Sequence, residues 1–408
     1  MRLLVITNLY PRPDEPQRGM FNFNLIEALA NLIGQSAENN AAVKVICLVP
    51  EWRIWRWKTI RQWQMRSKAE SGENIAPAPV VKYLPVFYLP VIGRNLSWRT
   101  YRAALSGIRE HVGDSDVILS TWLYPDCVAA ASLAAELNKP IWFKTHGSDR
   151  FHLEHTRRRG RILQACDIAQ GIFCNCTHTA EELSRRGINR DKRHIVAHGI
   201  DCALFRHRPR EESAAKLGLK PDEKTILFIG NLQTVKGPDR AIRAFASAIN
   251  SSQIRPAGKL RLVIAGDGPL KSRINAFAVS AGIGDRVALI GSRPQAEIAE
   301  WMNAADCLCV PSRSEGMPNV VLEALAAGLP VVATDVGGIT QHVRSQVNGI
   351  IISQRSNENR IISELALALS AALDRDWNRE MISIEGRTRT WERAAAETLA
   401  VMAAGSRR

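Results

Sequence analysis

The sequence predicts an α/β protein built from two doubly wound, Rossmann-like domains that face one cleft. Three observations carry this expectation. Short apolar runs rich in β-branched residues recur along the chain, each followed by a helical pattern. The runs fall into two series separated by a basic, proline-broken segment. The 408 residues suit two domains, at roughly 100–200 residues per domain.

The first series reads "RLLVIT", "VKVICLV", "DVILST", "PIWFKT" and "IFCNC". These runs are continuously apolar rather than alternating, which fits strands covered on both faces. Strand–helix alternation implies a parallel sheet with right-handed crossovers. The segment "HGIDCALFRHRPREESAAKLGLKPDEK" then places a boundary near 205–222. The second series reads "TILFIG", "LRLVIAG", "RVALIG", "CLCVPS" and "PVVATD", and the tail is helical from about Thr390. The expected division is 1–205, 206–380 and a terminal helical segment 381–408. Open sheets of this kind bind ligands at the carboxyl ends of their strands.

Lys and Arg number 54 against 40 Asp and Glu, a net charge of +14. That excess favours an anionic partner: nucleic acid, acidic lipid or a phosphorylated substrate. It is spread over both halves, so neither is marked as a basic nucleic-acid domain. The eight Cys include Cys174-Asn175-Cys176 and Cys307-Leu308-Cys309. One intervening residue does not match zinc spacing, and these read as packed, reduced thiols in a reducing compartment. The opening "MRLLVITNLYPRP" is too short an apolar run for a signal peptide, and no spanning run follows. The expectation is a cytoplasmic protein whose membrane contact is peripheral.

The strongest signal is "CVPSRSEGMPNVVLEALAAGLPVVATDVGG". A strand leads into a loop with Glu315 and Gly316. Pro318 is expected in the first turn of a helix, and Gly328 and Pro330 end it. Backbone N–H groups at that helix start favour an anion. Glu315 and Glu323, beside such a site, need hydroxyl partners rather than phosphate. A nucleotide sugar supplies phosphates and hydroxylated rings together.

This Glu-x7-Glu arrangement resembles the family 4 retaining glycosyltransferases, which have the GT-B fold. "TNLYPRPDEPQRGMFNFNLIEAL" is similar to the family's opening strand, loop and helix. "KTHGSD", "AHGIDCALF", "FIGNLQTVKGPD", "IAGDGPLKSRI" and "TWERAAAETL" resemble its later segments in order. The last is the helix that crosses back to the first domain. The resemblance implies sugar transfer from a nucleotide sugar, with UDP favoured on frequency, and no metal or other cofactor. Glu323 is then expected at the ribose hydroxyls and Glu315 at the donor sugar. Backbone amides across Gly316, Met317, Pro318, Asn319 and Val320 are expected at the diphosphate or sugar. Lys236 is expected to neutralise the leaving diphosphate, His146 to face the transferred sugar, and Gly19 to start a helix aimed at the phosphates. Asn231 stands where the family commonly has Arg, which removes a bidentate phosphate clamp. His198 replaces the more usual Asn before Gly199. The acceptor is expected to be a glycan or polyprenyl-linked sugar of the bacterial envelope or exopolysaccharide. A nucleotide-sugar epimerase and a catalytically silent partner subunit are the competing readings.

Other patterns carry less. Asp114-x-Asp116 precedes a strand, whereas a sugar-nucleotide metal motif follows one. No P-loop is present, and "GIGD" at 282–285 lacks the dinucleotide fingerprint. The stretch "EWRIWRWKTIRQWQMRSK" at 51–68 holds four of the ten Trp. On a regular helix Trp52, Trp55 and Trp63 share a side with Ile60, and Trp57, Ile54 and Met65 share the other. Trp52, Arg53, Trp55, Arg56, Trp57, Lys58 and Arg61 are expected at an anionic membrane surface or lipid acceptor. A purely structural helix and a nucleic-acid grip are the alternatives.

Overall fold

The first series of apolar runs forms a seven-stranded parallel sheet in the computed structural model, which describes residues 1–35, 42–63, 78–88, 92–220, 222–250 and 260–405. Its strands are β1 (Arg2–Thr7), β2 (Ala42–Pro50), β3 (Val80–Val86), β4 (Val117–Thr121), β5 (Ile141–Lys144), β6 (Gly171–Cys174) and β7 (Arg193–Ile195). They lie in the order β3-β2-β1-β4-β5-β6-β7. Val5 pairs with Val45 on one side and Leu119 on the other. Side chains alternate across a strand, and here both faces are apolar. Leu4, Ile6, Ile46 and Leu48 enter one buried cluster. Leu3, Val5, Val43 and Val45 enter another. That is why these strands read as unbroken apolar runs.

The second series forms a six-stranded parallel sheet from β8 (Lys224–Ile229), β9 (Leu260–Ala265), β10 (Val287–Gly291), β11 (Cys307–Val310), β12 (Val331–Thr334) and β13 (Gly349–Ile352). The order is β10-β9-β8-β11-β12-β13. Ile226, Phe228 and Ile264 pack against Phe245 of the helix Pro238–Asn250 and Leu365 and Leu369 of the helix Glu358–Asp374.

The chain divides into two compact units: Met1–Gly199 with Trp391–Arg408, and Ile200–Thr390. The helix Trp391–Gly405 thus completes the first unit. Its Trp391, Ala394, Ala395 and Met402 join the cluster that holds Trp142 and Leu25, Ile26 and Leu29 of the helix Met20–Gln35. None of the eight Cys, all of them among the described residues, is in a disulfide. Among the described residues, no helix is long and apolar enough to cross a membrane.

Three strands, β3, β7 and β13, are absent from the sequence reading, and all three are sheet edges. Edge strands tolerate polar residues. β3 carries Lys82 and Pro85, and an edge accepts proline because one side needs no donor.

The Trp–Arg stretch departs from the expected helix. A 3-10 turn, Ile54–Arg56, runs into a five-residue helix, Trp57–Arg61, so one angular step does not hold across it. Ile60 is buried, and Trp63 stands edge-on to Tyr83 at 5.6 Å. Trp52, Ile54 and Trp55 are 51, 62 and 71% exposed, with the two indoles in edge contact at 5.9 Å. The grouping of Trp52, Trp55 and Trp63 with Ile60 is therefore not formed; Met65, in the other grouping, lies outside the described residues. Buried Glu51 organises the turn. Its carboxylate accepts from Arg53 at 2.7 Å and Arg56 at 2.8 Å. The hydrogen bond from Arg53 chiefly pulls its pKa down to about 2.

Candidate functional site

Each sheet reverses its strand order once, between β1 and β4 and between β8 and β11. Such reversals open a crevice at the strand ends. The residues expected at the nucleotide sugar lie at or beside these two points.

In the second unit, Asn231 and Lys236 follow β8, and Glu315 follows β11. The Lys236 Nζ donates to both carboxylate oxygens of Glu315, at 2.9 and 2.8 Å. Ser312 Oγ donates to the same carboxylate at 2.7 Å. Glu315 is buried, whereas Lys236 keeps a third of its side chain exposed. The two loops fit closely: a Cβ on Gly237, at φ +70°, would stand 2.2 Å from the Pro311 carbonyl oxygen. Gly337, at φ +63°, approaches Gly316 in the same way, and Gly338 N–H donates to the Gly316 carbonyl at 2.6 Å.

Two arginines that sequence reading missed brace these loops. Arg313 bonds Asp239 at 2.8 and 2.7 Å and the Thr234 carbonyl at 2.7 Å. Buried Arg240 bonds Glu358 at 2.9 and 2.6 Å, Gln354 at 3.0 Å and the Pro311 carbonyl at 3.3 Å. Arg313 also bonds Glu358, and with that contact their partners lie 45 to 118 residues away in sequence, so no local pattern reveals them.

Pro318 is a correction to the expected helix start. It stands just before the helix Asn319–Ala326, with φ −73° and ψ 120°. Having no N–H, it also cannot serve among the amides of Gly316, Met317, Asn319 and Val320. It fixes the approach to the helix instead. Met317 is buried, and Asn231 is exposed. Glu323 lies in the second turn, and burial pushes its carboxyl up to about 7.

In the first unit, Gly19 has φ +64°, and a Cβ there would meet the Leu9 carbonyl oxygen at 2.3 Å. Glycine is therefore required for the loop after β1 to turn into the helix Met20–Gln35. Asn22 of that helix donates to the Leu9 carbonyl at 2.9 Å and to Thr121 Oγ1 at 3.1 Å. His146, after β5, packs against Phe21 at 4.6 Å and stacks near Trp122 at 6.4 Å. Both its ring nitrogens are shielded and have no hydrogen-bond partner among the described residues. Burial, with Lys144 and His198 adding repulsion, holds it well below the usual histidine range, so the ring is neutral.

Two buried aspartates that sequence reading did not single out join the loops. Asp149 accepts from Leu123 N–H at 2.7 Å and His146 N–H at 2.5 Å. Asp126 accepts from Asn8 N–H at 2.5 Å. Burial raises both carboxyls, Asp149 to about 6 and Asp126 well above the usual range. Asp149 sits within the quoted "KTHGSD"; its spacing of three from His146 was the available signal. Trp122, at φ 79°, sits between these loops in a conformation costly for a non-glycine residue. Asp116, by contrast, lies at the amino end of β4, where it bonds the Arg2 backbone at 2.7 Å and guanidinium at 2.8 Å. Asp114-x-Asp116 is thus at the opposite end of the sheet from His146.

Comparison with known proteins agrees with this layout. The family profile for Glycosyltransferase Family 4 matches residues 60–204, and that for Glycosyl transferases group 1 matches 209–387. The chain is similar to the D-inositol 3-phosphate glycosyltransferase of Segniliparus rotundus, 35% identical over 50% of this chain and 45% of that protein. The chain therefore spans about half the length of such relatives. It is also similar to TuaC of Bacillus subtilis, a glycosyltransferase provisionally assigned to teichuronic acid biosynthesis, 28% identical over 83% of this chain and 82% of that one. Among solved structures, Anabaena Alr3699/HepE in complex with UDP superposes with a TM-score of 0.69 at 18% identity, over 99% of this chain and 100% of that chain. With both profiles matched in sequence order and both sheets in place, the chain belongs to the family 4 glycosyltransferases and has their GT-B fold.

Proposed function

We propose that this protein is a retaining, metal-independent glycosyltransferase. It moves a sugar from a nucleotide sugar, a UDP-sugar in the favoured reading, to a hydroxyl of a glycan or polyprenyl-linked acceptor in envelope or exopolysaccharide synthesis. The Lys236–Glu315 pair at the β8/β11 reversal carries this reading. In the free protein each charge satisfies the other, which keeps buried Glu315 from standing unpaired. A donor re-partitions them: Lys236 meets the diphosphate as negative charge develops, and Glu315 accepts from the donor sugar. Amides of Gly316, Met317, Asn319 and Val320 bind the anion, Asn231 adds a single polar contact, and Glu323 accepts from the ribose. Neutral His146 and the Gly19 helix start serve the transferred sugar and phosphates. The leaving phosphate takes the acceptor proton, on the face from which it departs. Support comes also from the UDP complex of Alr3699/HepE and the teichuronic acid assignment of TuaC.

The protein acts at an anionic membrane surface, where Trp52, Trp55 and Trp57 with Arg53, Arg56, Lys58 and Arg61 meet the interface. A thermal-shift screen of nucleotide sugars identifies the donor, because binding raises apparent stability. In a transfer assay, Glu315→Ala and Lys236→Ala each reduce turnover by about a hundredfold or more. Folded variants working at wild-type rate would overturn the assignment.

A further inference from the structure

We infer that the first unit draws anionic lipid headgroups chiefly to Arg94, Arg99, Arg157 and Arg161, around exposed Leu96 and Phe151, with Arg53 and Arg56 at the interface adding little of the attraction. The inference rests on the peripheral-membrane reading above and says which charges supply its attraction.

The two segments that carry these residues are locked together. Buried Arg158 of the helix Thr156–Ile168 donates to Asn95 Oδ1 at 2.8 Å and lies over the Tyr124 ring at 5.6 Å. Arg161 and Arg99 both lie over the Trp98 indole, at 4.8 and 5.6 Å. Leu96 is 54% and Phe151 46% exposed. The surface is therefore one patch of apolar tips set among guanidinium groups.

Its charge is uncompensated. Among the described residues, none of the four arginines forms an ion pair with a carboxylate, and the nearby Glu154 reaches Arg186 instead, at 3.8 Å. Arg53 and Arg56, by contrast, are held by Glu51 at 2.7 and 2.8 Å, and Arg56 also by Asp14 at 3.4 Å. A guanidinium already paired to a carboxylate attracts a distant anionic surface weakly. Four unpaired ones repel each other in the free protein, and an anionic partner relieves that repulsion. The tips favour a bilayer over nucleic acid, since they suit acyl boundaries and Leu96 offers no ring for base stacking. A cavity of about 660 Å³ lined by Trp57, Arg61, Thr100 and Ala103 sets the helix Ser97–Ser106, which carries Arg99, beside the Trp–Arg stretch. The division of labour follows: the arginine patch attracts, and Trp52, Ile54 and Trp55 insert.

The test uses the full chain and vesicles of phosphatidylcholine with and without phosphatidylglycerol. The variant Arg94→Gln/Arg99→Gln/Arg157→Gln/Arg161→Gln is expected to lose about tenfold or more of its partitioning to anionic vesicles, given the contribution of each basic residue near such a surface. Its salt dependence flattens, while transfer to a soluble acceptor and the melting temperature stay as in the wild type. Arg53→Gln/Arg56→Gln, checked for folding by its melting temperature, changes partitioning by less than about threefold because those charges are already paired. Wild-type partitioning by the fourfold variant overturns the inference alone. A wild-type protein that binds no vesicle overturns the membrane reading and this inference with it. Tighter binding to an oligonucleotide than to anionic vesicles, lost in the fourfold variant, also overturns it by assigning the patch to nucleic acid.

Discussion

At the β8/β11 reversal of the second unit, the candidate residues are charged and paired: Lys236 with Glu315, Arg313 with Asp239, Arg240 with Glu358. At the β1/β4 reversal of the first unit they are a neutral histidine and two buried carboxyls that hold backbone N–H groups. One half is organised to exchange ionic partners, the other to hold loops and a neutral ring in place. The difference matches the proposed roles: charged Lys236 and Glu315 re-partition on the donor's diphosphate and sugar, while neutral His146 is held in place to face the transferred sugar. It also locates sensitivity: charge substitutions are expected to act on chemistry in the second unit and on loop geometry in the first.

The largest expected effect comes from separating the ion pair. Lys236→Met and Glu315→Gln each lower turnover by about a hundredfold or more. The double variant falls far less than the product of the two, because the residues share one role. A fully multiplicative loss in the steady-state assay breaks the comparison. Next, Asp149→Asn replaces an acceptor of two N–H groups by one that can satisfy only one well. It is expected to lower stability by about 2 kcal/mol in a denaturant melt, and to lower turnover through the His146 loop. Unchanged stability would mean the aspartate does not hold the loops.

A third test uses pH. The Asp149 carboxyl is raised to about 6 and that of Glu323 to about 7. For a carboxyl raised on folding, the native state holds more protons than the unfolded chain between the two pKa values. Stability therefore falls as pH rises through that window, from about 4 to 6 for Asp149 and from about 4.5 to 7 for Glu323. Asp149→Asn flattens the lower part of the profile and Glu323→Gln the upper part. Glu51, lowered to about 2, has the opposite sign: its contribution is full above the unfolded value and is lost as pH falls toward 2. An unaltered profile in either variant removes that group from the account. The smallest effect is expected from Asn231→Arg on exposed ground, tightening the donor KM by about threefold to tenfold without raising turnover. A large rise in turnover would show that the departure at this position limits catalysis.

What the sequence made legible follows from locality. Interior strands announce themselves because both faces are apolar, so β1, β4 and β8 read directly. The edge strand β10 reads as well, through its apolar run, but β3, β7 and β13 do not, since an edge strand needs apolar contact on fewer sides. Glu315, Glu323 and Lys236 were findable from local motifs. The pairing of Lys236 with Glu315 was not, because 79 residues separate them and no spacing rule links loops of different strands. Asp126 and Asp149 were hidden for another reason: a buried carboxylate that holds backbone N–H groups looks, in sequence, like any turn aspartate. The Trp–Arg stretch misled through its assumed regularity. Glu51, one residue before the first Trp, folds the turn by bonding two of its guanidinium groups and offsets one of their positive charges.

The helix Trp391–Gly405 has a consequence for how the molecule is made. Gly405 lies where a Cβ would stand 2.5 Å from the Trp142 ring, and Trp391 and Met402 seal the same core cluster. During synthesis from the amino end, residues 1–199 emerge long before this helix exists. The part of the first unit's core around Trp142 and the helix Met20–Gln35 that Trp391, Ala394, Ala395 and Met402 seal must wait, uncovered, while the whole of Ile200–Thr390 is translated. A ribosome-bound or truncated chain ending near Gly199 is thus expected to be sticky and chaperone-dependent. Completion of the first unit must wait for translation of the second, and a premature stop anywhere in the second unit disables the first as well.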